Sequence, residues 1–271
     1  MRAAVYAVSF AWLLSAQSQN FEQLFREAVA AQQRGDFPTA IRDYQHLLQL
    51  QPASAEVLAN LGAALAHENR FDEAIHEYEA ALRLDPDNAV IRTNLALAFY
   101  KKGDFRTAAR EFAALLKKDP ANPRLATLLG DCEVRLGRSR EALTFLQPLA
   151  AKNPDNLDLQ YVWGTALLAS GRRREGAAVV DTVARRGNSP DAYLLAGSTW
   201  LDLNEFESAR RDLEAALRLN PHLPGIHTLL GLSLDKLGDI TAAEPEFRKA
   251  LAINPNDFQA NLTLGAELYK N

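Results

Sequence analysis

The sequence predicts an all-α fold, a solenoid of stacked helical hairpins, and three periodic series predict it. Small residues return every 34 positions at Ala40, Ala74, Ala108 and Ala142 and continue at Gly176, Ala209 and Ala243. A parallel series runs through Ala28, Gly62, Ala96, Gly130, Gly164, Gly197, Gly231 and Gly265, and a third through Pro52, Pro86, Pro120, Pro154, Pro221 and Pro255. A period of this length marks an array in which each unit buries its apolar face only by stacking on its neighbours.

Each unit reads as two helices. Between its halves stand Gly35, Asn69, Gly103, Gly137, Gly171, Asn204 and Gly238, all residues that tolerate a left-handed backbone and so end one helix and reverse the chain. Phe37, Phe71, Phe105 and Phe206 open second helices, and Tyr44, Tyr78, Phe112 and Phe247 follow at helical spacing, as core residues do. The prolines stop the second helices. Small pairs such as Gly62 with Ala74 and Gly130 with Ala142 are expected where two helices cross closely, and a bulky side chain there costs about 1–3 kcal/mol.

Within one unit, Leu61-Gly62, Leu65, Phe71, Ala74, Tyr78, Ala81 and Pro86 resemble the tetratricopeptide repeat signature. The same register gives units at 21–54, 55–88, 89–122, 123–156, 157–189, 190–223 and 224–257, then a lone helix at 258–271. The resemblance implies a right-handed superhelix whose concave face is lined by the first helix of each unit and takes extended or helical peptide segments of partner proteins. The lone helix offers Gln259, Asn261, Thr263, Glu267 and Lys270 as the polar surface of a cap, or else begins a truncated eighth unit.

Two departures stand out. Unit 157–189 is one residue short, has Gly176 and Arg173 at signature positions and lacks the closing proline, so weaker packing and flexure are expected there. Pro148 and Pro245 fall inside second helices, where kinks are expected. The cluster Arg172-Arg173-Arg174, with Arg185 and Arg186 nearby, reads as a solvated face.

The first residues carry an address. Met1-Arg2, the apolar run Ala3 to Leu14 and the small residues Ala16 and Ser18 read as a secretory signal at 1–18, cleaved before Gln19. The apolar run is shorter than the roughly 20 residues a membrane-spanning helix needs, so no stable membrane insertion is expected after cleavage. The expected location is periplasmic or secreted. With 30 basic and 34 acidic residues the chain carries −4, and −5 once Arg2 leaves, which argues against nucleic acid as a partner. Cys132 is the only cysteine; no internal disulfide is possible, and it reads as a small core filler.

No phosphate loop, Gly-x-Gly-x-x-Gly or His-Glu-x-x-His motif occurs, and no catalytic grouping, metal site or cofactor is expected. His222 and His227 read as surface histidines. One position of the first helices runs Arg26, Asn60, Asn94, Leu128, Val162, Leu195, Leu229 and Thr263. In related superhelices an asparagine here bonds the backbone of an extended peptide, since a carboxamide both donates and accepts. Asn60 and Asn94 match; the four aliphatic residues after them either anchor a ligand or sit half-buried between first helices. His67, Tyr100, Lys101, Arg124, Asp131, Arg135 and Tyr161 join Asn60, Asn94 and Leu128 as groove candidates, with Arg124 and Arg135 suited to an acidic group. The family's clamp for a terminal carboxylate needs Lys and Asn where this chain has Phe25 and Val29. The expected function is a non-enzymatic scaffold holding a peptide segment of a partner protein. The alternatives are a structural subunit of an envelope or secretion assembly and a regulatory module of a separate enzyme. Nothing in the sequence specifies the oligomeric state.

Overall fold

The computed structural model describes the backbone of residues 20–270 and the side chains of residues 20–266. The signal segment expected at 1–18 lies outside the described residues. Fifteen helices and no strand occur among those residues. They form two compact units, Met1–Pro120 and Ala121–Asn271.

The first unit holds three hairpins: α1 (20–33) with α2 (Phe37–Leu50), α3 (Ala55–His67) with α4 (Phe71–Leu84), and α5 (Ala89–Lys102) with α6 (Phe105–Lys118). Its core is built from Tyr44, Leu47, Leu61, Leu65, Tyr78 and Leu95, with Tyr44 and Leu47 wholly buried. Helix starts are fixed locally by side-chain caps. Asp36 accepts from the Thr39 N–H at 3.2 Å, Ser54 from Val57 at 3.3 Å, and Asn88 from Val90 and Ile91 at 3.1 Å.

The second unit comprises α7 (Pro123–Arg135), α8 (Ser139–Lys152), α9 (Leu157–Ala169), α10 (Arg173–Gly187), α11 (Pro190–Asp202), α12 (Phe206–Leu219), α13 (Ile226–Lys236), α14 (Ile240–Ile253) and α15 (Phe258–Lys270). Its core includes Val180, Trp200, Leu213, Ile226 and Phe247. Cys132 is buried, and burial first, then Asp131 and Glu133, pushes its thiol up to about 12, so it is chemically quiet.

All seven reversal residues hold positive φ, from 59° at Asn69 and Asn204 to 92° at Gly171. The close approach behind the small pairs differs in detail from expectation. A Cβ on Gly62 would lie 2.9 Å from the Tyr78 ring, one on Gly130 2.9 Å from Leu146, and one on Gly231 2.8 Å from Phe247. The glycine is a seat for the large residue one turn beyond its small partner. At Gly265 in α15 nothing lies within 4 Å, and Phe258 and Leu262 are exposed beside the polar positions of that helix.

Unit 157–189 is tighter than the sequence suggested. A Cβ on Gly176 would sit 2.8 Å from the Leu168 backbone nitrogen, so glycine lets α10 close onto α9. The helix ends on Asn188 with φ of 48° instead of a proline. The arginine cluster is exposed but not idle: Arg173 pairs with Asp202, Arg174 with Glu205 at 2.5 Å, and Arg186 with Asp155 at 2.6 Å, each joining adjacent repeats. Pro148 and Pro245 lie on the exposed face of α8 and α14, which run through them as unbroken helices.

Candidate functional site

In the first unit the three first helices, α1, α3 and α5, bring the candidate residues onto one face. Asn60 on α3 and Asn94 on α5 are half-buried, and neither carboxamide hydrogen-bonds to another described residue. Each keeps a free donor and a free acceptor, the pair of groups a peptide unit presents. An open cavity of about 580 Å³ between α1 and α3 includes Asn60, His67, Phe25, Phe37 and Tyr44. A second, of about 520 Å³ between α3 and α5, includes His67, Asn94, Lys101, Phe71 and Leu97. His67 therefore belongs to both, and its ring stacks on Phe37 with centroids 4.5 Å apart and planes 4° apart. In the first cavity the Tyr44 hydroxyl donates to Gln32 Oε1 at 2.9 Å. Burial, reinforced by Glu56, pushes the Tyr44 phenol up to about 12, so it stays a donor.

Tyr100 belongs to neither cavity; its ring meets Phe105 edge-on at 5.5 Å. Phe25, Phe37 and Glu56 were not among the sequence candidates, yet all three line the first cavity. Glu56 stands one turn before Asn60 on the same helix face, and that spacing was the available signal.

The second unit treats the same helix positions differently. Leu128 is half-buried, Val162 is 7% exposed and rests against Gly130, and Leu195 and Leu229 pack on the core. Val162 is given over to helix packing, while Leu128, Leu195 and Leu229 pack on one side and keep part of their surface exposed. Arg135 pairs with Asp131 at 2.7 Å and stays half-exposed, and Arg124 is exposed at the start of α7. Tyr161 is half-buried against the core, and that burial raises its phenol above the usual range.

Polar groups of the second unit are instead built inward. Asp181 on α10 meets Arg185 at 2.7 Å and Arg211 at 3.3 Å, and Asp212 on α12 meets Arg211 at 2.8 Å. Asp212 is wholly buried, and one oxygen of each aspartate has no partner among the described residues. Burial first, then the neighbouring Asp181, raises Asp212 to about 6. His227, expected at the surface, is instead largely buried, with Nδ1 2.6 Å from Glu246 Oε2, and Lys249 reaches the other Glu246 oxygen at 2.7 Å. Burial opposes ionisation of Glu246, but the hydrogen bonds from Lys249 and His227 outweigh it and hold this carboxyl below its usual range. Among the described residues no group of three or more His, Cys, Asp or Glu side chains is placed to hold a metal ion, and no helix is long and apolar enough to cross a membrane.

Tetratricopeptide repeat models match residues 25–89, 161–224 and 194–258, and a second such model matches 65–132 and 99–165. No curated protein matches the chain in sequence. Among solved structures, a tetratricopeptide repeat protein from Parabacteroides merdae superposes with a TM-score of 0.68 at 18% identity, covering 91% of this chain and 98% of its own. The C-terminal part of a TPR repeat-containing protein from Cytophaga hutchinsonii gives 0.69 at 14% identity, covering 87% and 97%. YrrB, a TPR protein with an unusual peptide-binding site, gives 0.55 at 22% identity, covering 72% and 97%.

Proposed function

This chain belongs to the tetratricopeptide repeat family, and from that premise we propose that it is a non-enzymatic scaffold holding an extended peptide segment of a partner protein in the trough of its first unit. Folds of this family serve protein–protein interaction, and YrrB is a relative by fold with a peptide-binding site of its own. The observation that carries the reading is the pair of unbonded carboxamides, Asn60 and Asn94, standing over two adjoining cavities. A half-buried amide without a partner gains from meeting a peptide backbone, and side-chain cavities beside it supply the anchoring that backbone contacts lack.

Cross-linking in the native compartment, followed by comparison of wild type with the Asn60→Ala/Asn94→Ala double variant, tests this. The expected result is at least a tenfold fall in one specific captured partner while circular dichroism and Tm are unchanged. Unchanged capture by the double variant, with loss on altering exposed residues of α4 or α6, would move the function to the other face.

The same reading places the mature protein outside the cytoplasm. The support is the n-region, apolar run and small residues of 1–18. N-terminal sequencing of protein from the native host should begin at Gln19; an intact Met1 would remove the export proposal and leave the trough untouched. A second reading, as a structural subunit joined through one end, has its own support in Ile253, Phe258 and Leu262, exposed by 71%, 76% and 54%. Replacing all three by Ser should leave partner capture intact if the trough is the site, and abolish assembly if the end is.

A further inference from the structure

The first-unit trough has two lips of opposite charge. At the start of the first helices, a cavity of about 310 Å³ adjoins the one between α1 and α3, sharing Phe25 and Glu56 with it. Its walls are apolar at Phe21, Phe25 and Val57, acidic at Glu22 and Glu56 and basic at Arg26, so its charged lining is acidic by one. Glu22 reaches Arg26 at 3.8 Å, but Glu56 makes no ion pair among the described residues. At the other lip His67 and Lys101 hold equivalent positions on α3 and α5, and Lys101 likewise makes no ion pair among the described residues. Asn60 and Asn94 lie between the lips.

The spacing sets a register. Glu56 and His67 are 11 residues apart on α3, which is roughly 16 Å at the helical rise. Helices α3 and α5 touch, and packed axes lie about 8–10 Å apart. The diagonal from Glu56 to Lys101 is then about 19 Å, between five and six residues of extended chain at about 3.3 Å each. An acidic residue in the first turn and a lysine in the last also suit the helix dipole. The dipole accounts for neither the aromatic wall beneath Glu56 nor the cavity beside Lys101.

Resting on the scaffold reading above, we propose that the trough selects a peptide with a lysine or arginine seated at Glu56 and an acidic residue about five positions away paired with Lys101. The basic side chain lays its aliphatic stem over Phe21 and Phe25 and places its charge against Glu56. The acidic one meets Lys101 beside Asn94, and the two amides hold the backbone between them.

Selection from a randomised octapeptide library displayed on phage, with the full chain as bait, tests this. Wild type should enrich peptides joining Lys or Arg to Asp or Glu at a separation of four to six residues. Glu56→Gln should lose the basic preference and keep the acidic one, and Lys101→Gln should do the reverse. Each should weaken a selected synthetic peptide by about fivefold, the scale of one partly exposed charge pair, and Gln at the matching peptide position should abolish that difference. Enrichment without charge preference, but still dependent on Asn60 and Asn94, overturns this inference alone. Enrichment that survives Asn60→Ala/Asn94→Ala, or no enrichment at all, overturns both it and the trough.

Discussion

The two units use one hairpin template for opposite ends. In the first, the sixth residue of the second and third repeats is Asn60 and Asn94, amides left unbonded beside open cavities, after Arg26 in the first repeat. In the second, the same position carries Leu128, Val162, Leu195 and Leu229, and polar chemistry has moved inward, to Asp181, Asp212, His227 and Glu246. A repeat fixes where a side chain stands; whether that place is left unbonded or packed is decided by the residue put there.

The sharpest way to break this contrast is to move one rung. Val162→Asn puts the first unit's amide on the second unit's buried position, where it loses apolar packing and gains no partner. Thermal or urea unfolding should show a loss of about 3 kcal/mol; a neutral result would mean the second unit is as open there as the first. Gly176→Ala comes next. Its Cβ would meet the Leu168 backbone, which cannot turn aside, so a loss of about 2 kcal/mol is expected from the same measurement.

The third test concerns pH. Asp212, raised to about 6 when folded, titrates near 4 when unfolded, so the folded chain binds more protons between those values. Its contribution is therefore fully present below about pH 4 and is lost as pH rises through about 6. Asp212→Asn, which can still accept from Arg211, should gain about 1–2 kcal/mol at pH 7.5, allowing for screening, and nothing at pH 4. A gain that does not change with pH would remove the buried-acid account. Smallest of all, Asn60→Ala and Asn94→Ala should each change stability by less than about 0.5 kcal/mol, because neither amide is bonded in the folded chain.

The hairpins were legible because their signals are local and repeated. Glycine or asparagine at Gly35, Asn69 and the five positions like them leaves the backbone one cheap way to turn, and Tyr44, Tyr78, Phe112 and Phe247 recur at the register that places them in the core. The site was legible in part. Asn60, His67, Asn94 and Lys101 stand out by register and do gather beside two cavities. Phe25, Phe37 and Glu56 were missed because a cavity wall is a gap between two helices, and repeat spacing describes one helix at a time. His227 was misread as a surface residue for a related reason: Glu246, its partner, lies 19 residues away on the neighbouring helix. The tight unit at 157–189 was misjudged because glycine at 176 looks like a lost contact in sequence and is a closer approach in space.

The claim on which the rest depends is that the partner lies along the first helices of the first unit. A photo-cross-linking amino acid at Ala63, beside the cavity between α3 and α5, should capture the partner, while the same group at exposed Glu79 on α4 should not. Capture from position 79 and none from position 63 would contradict the account.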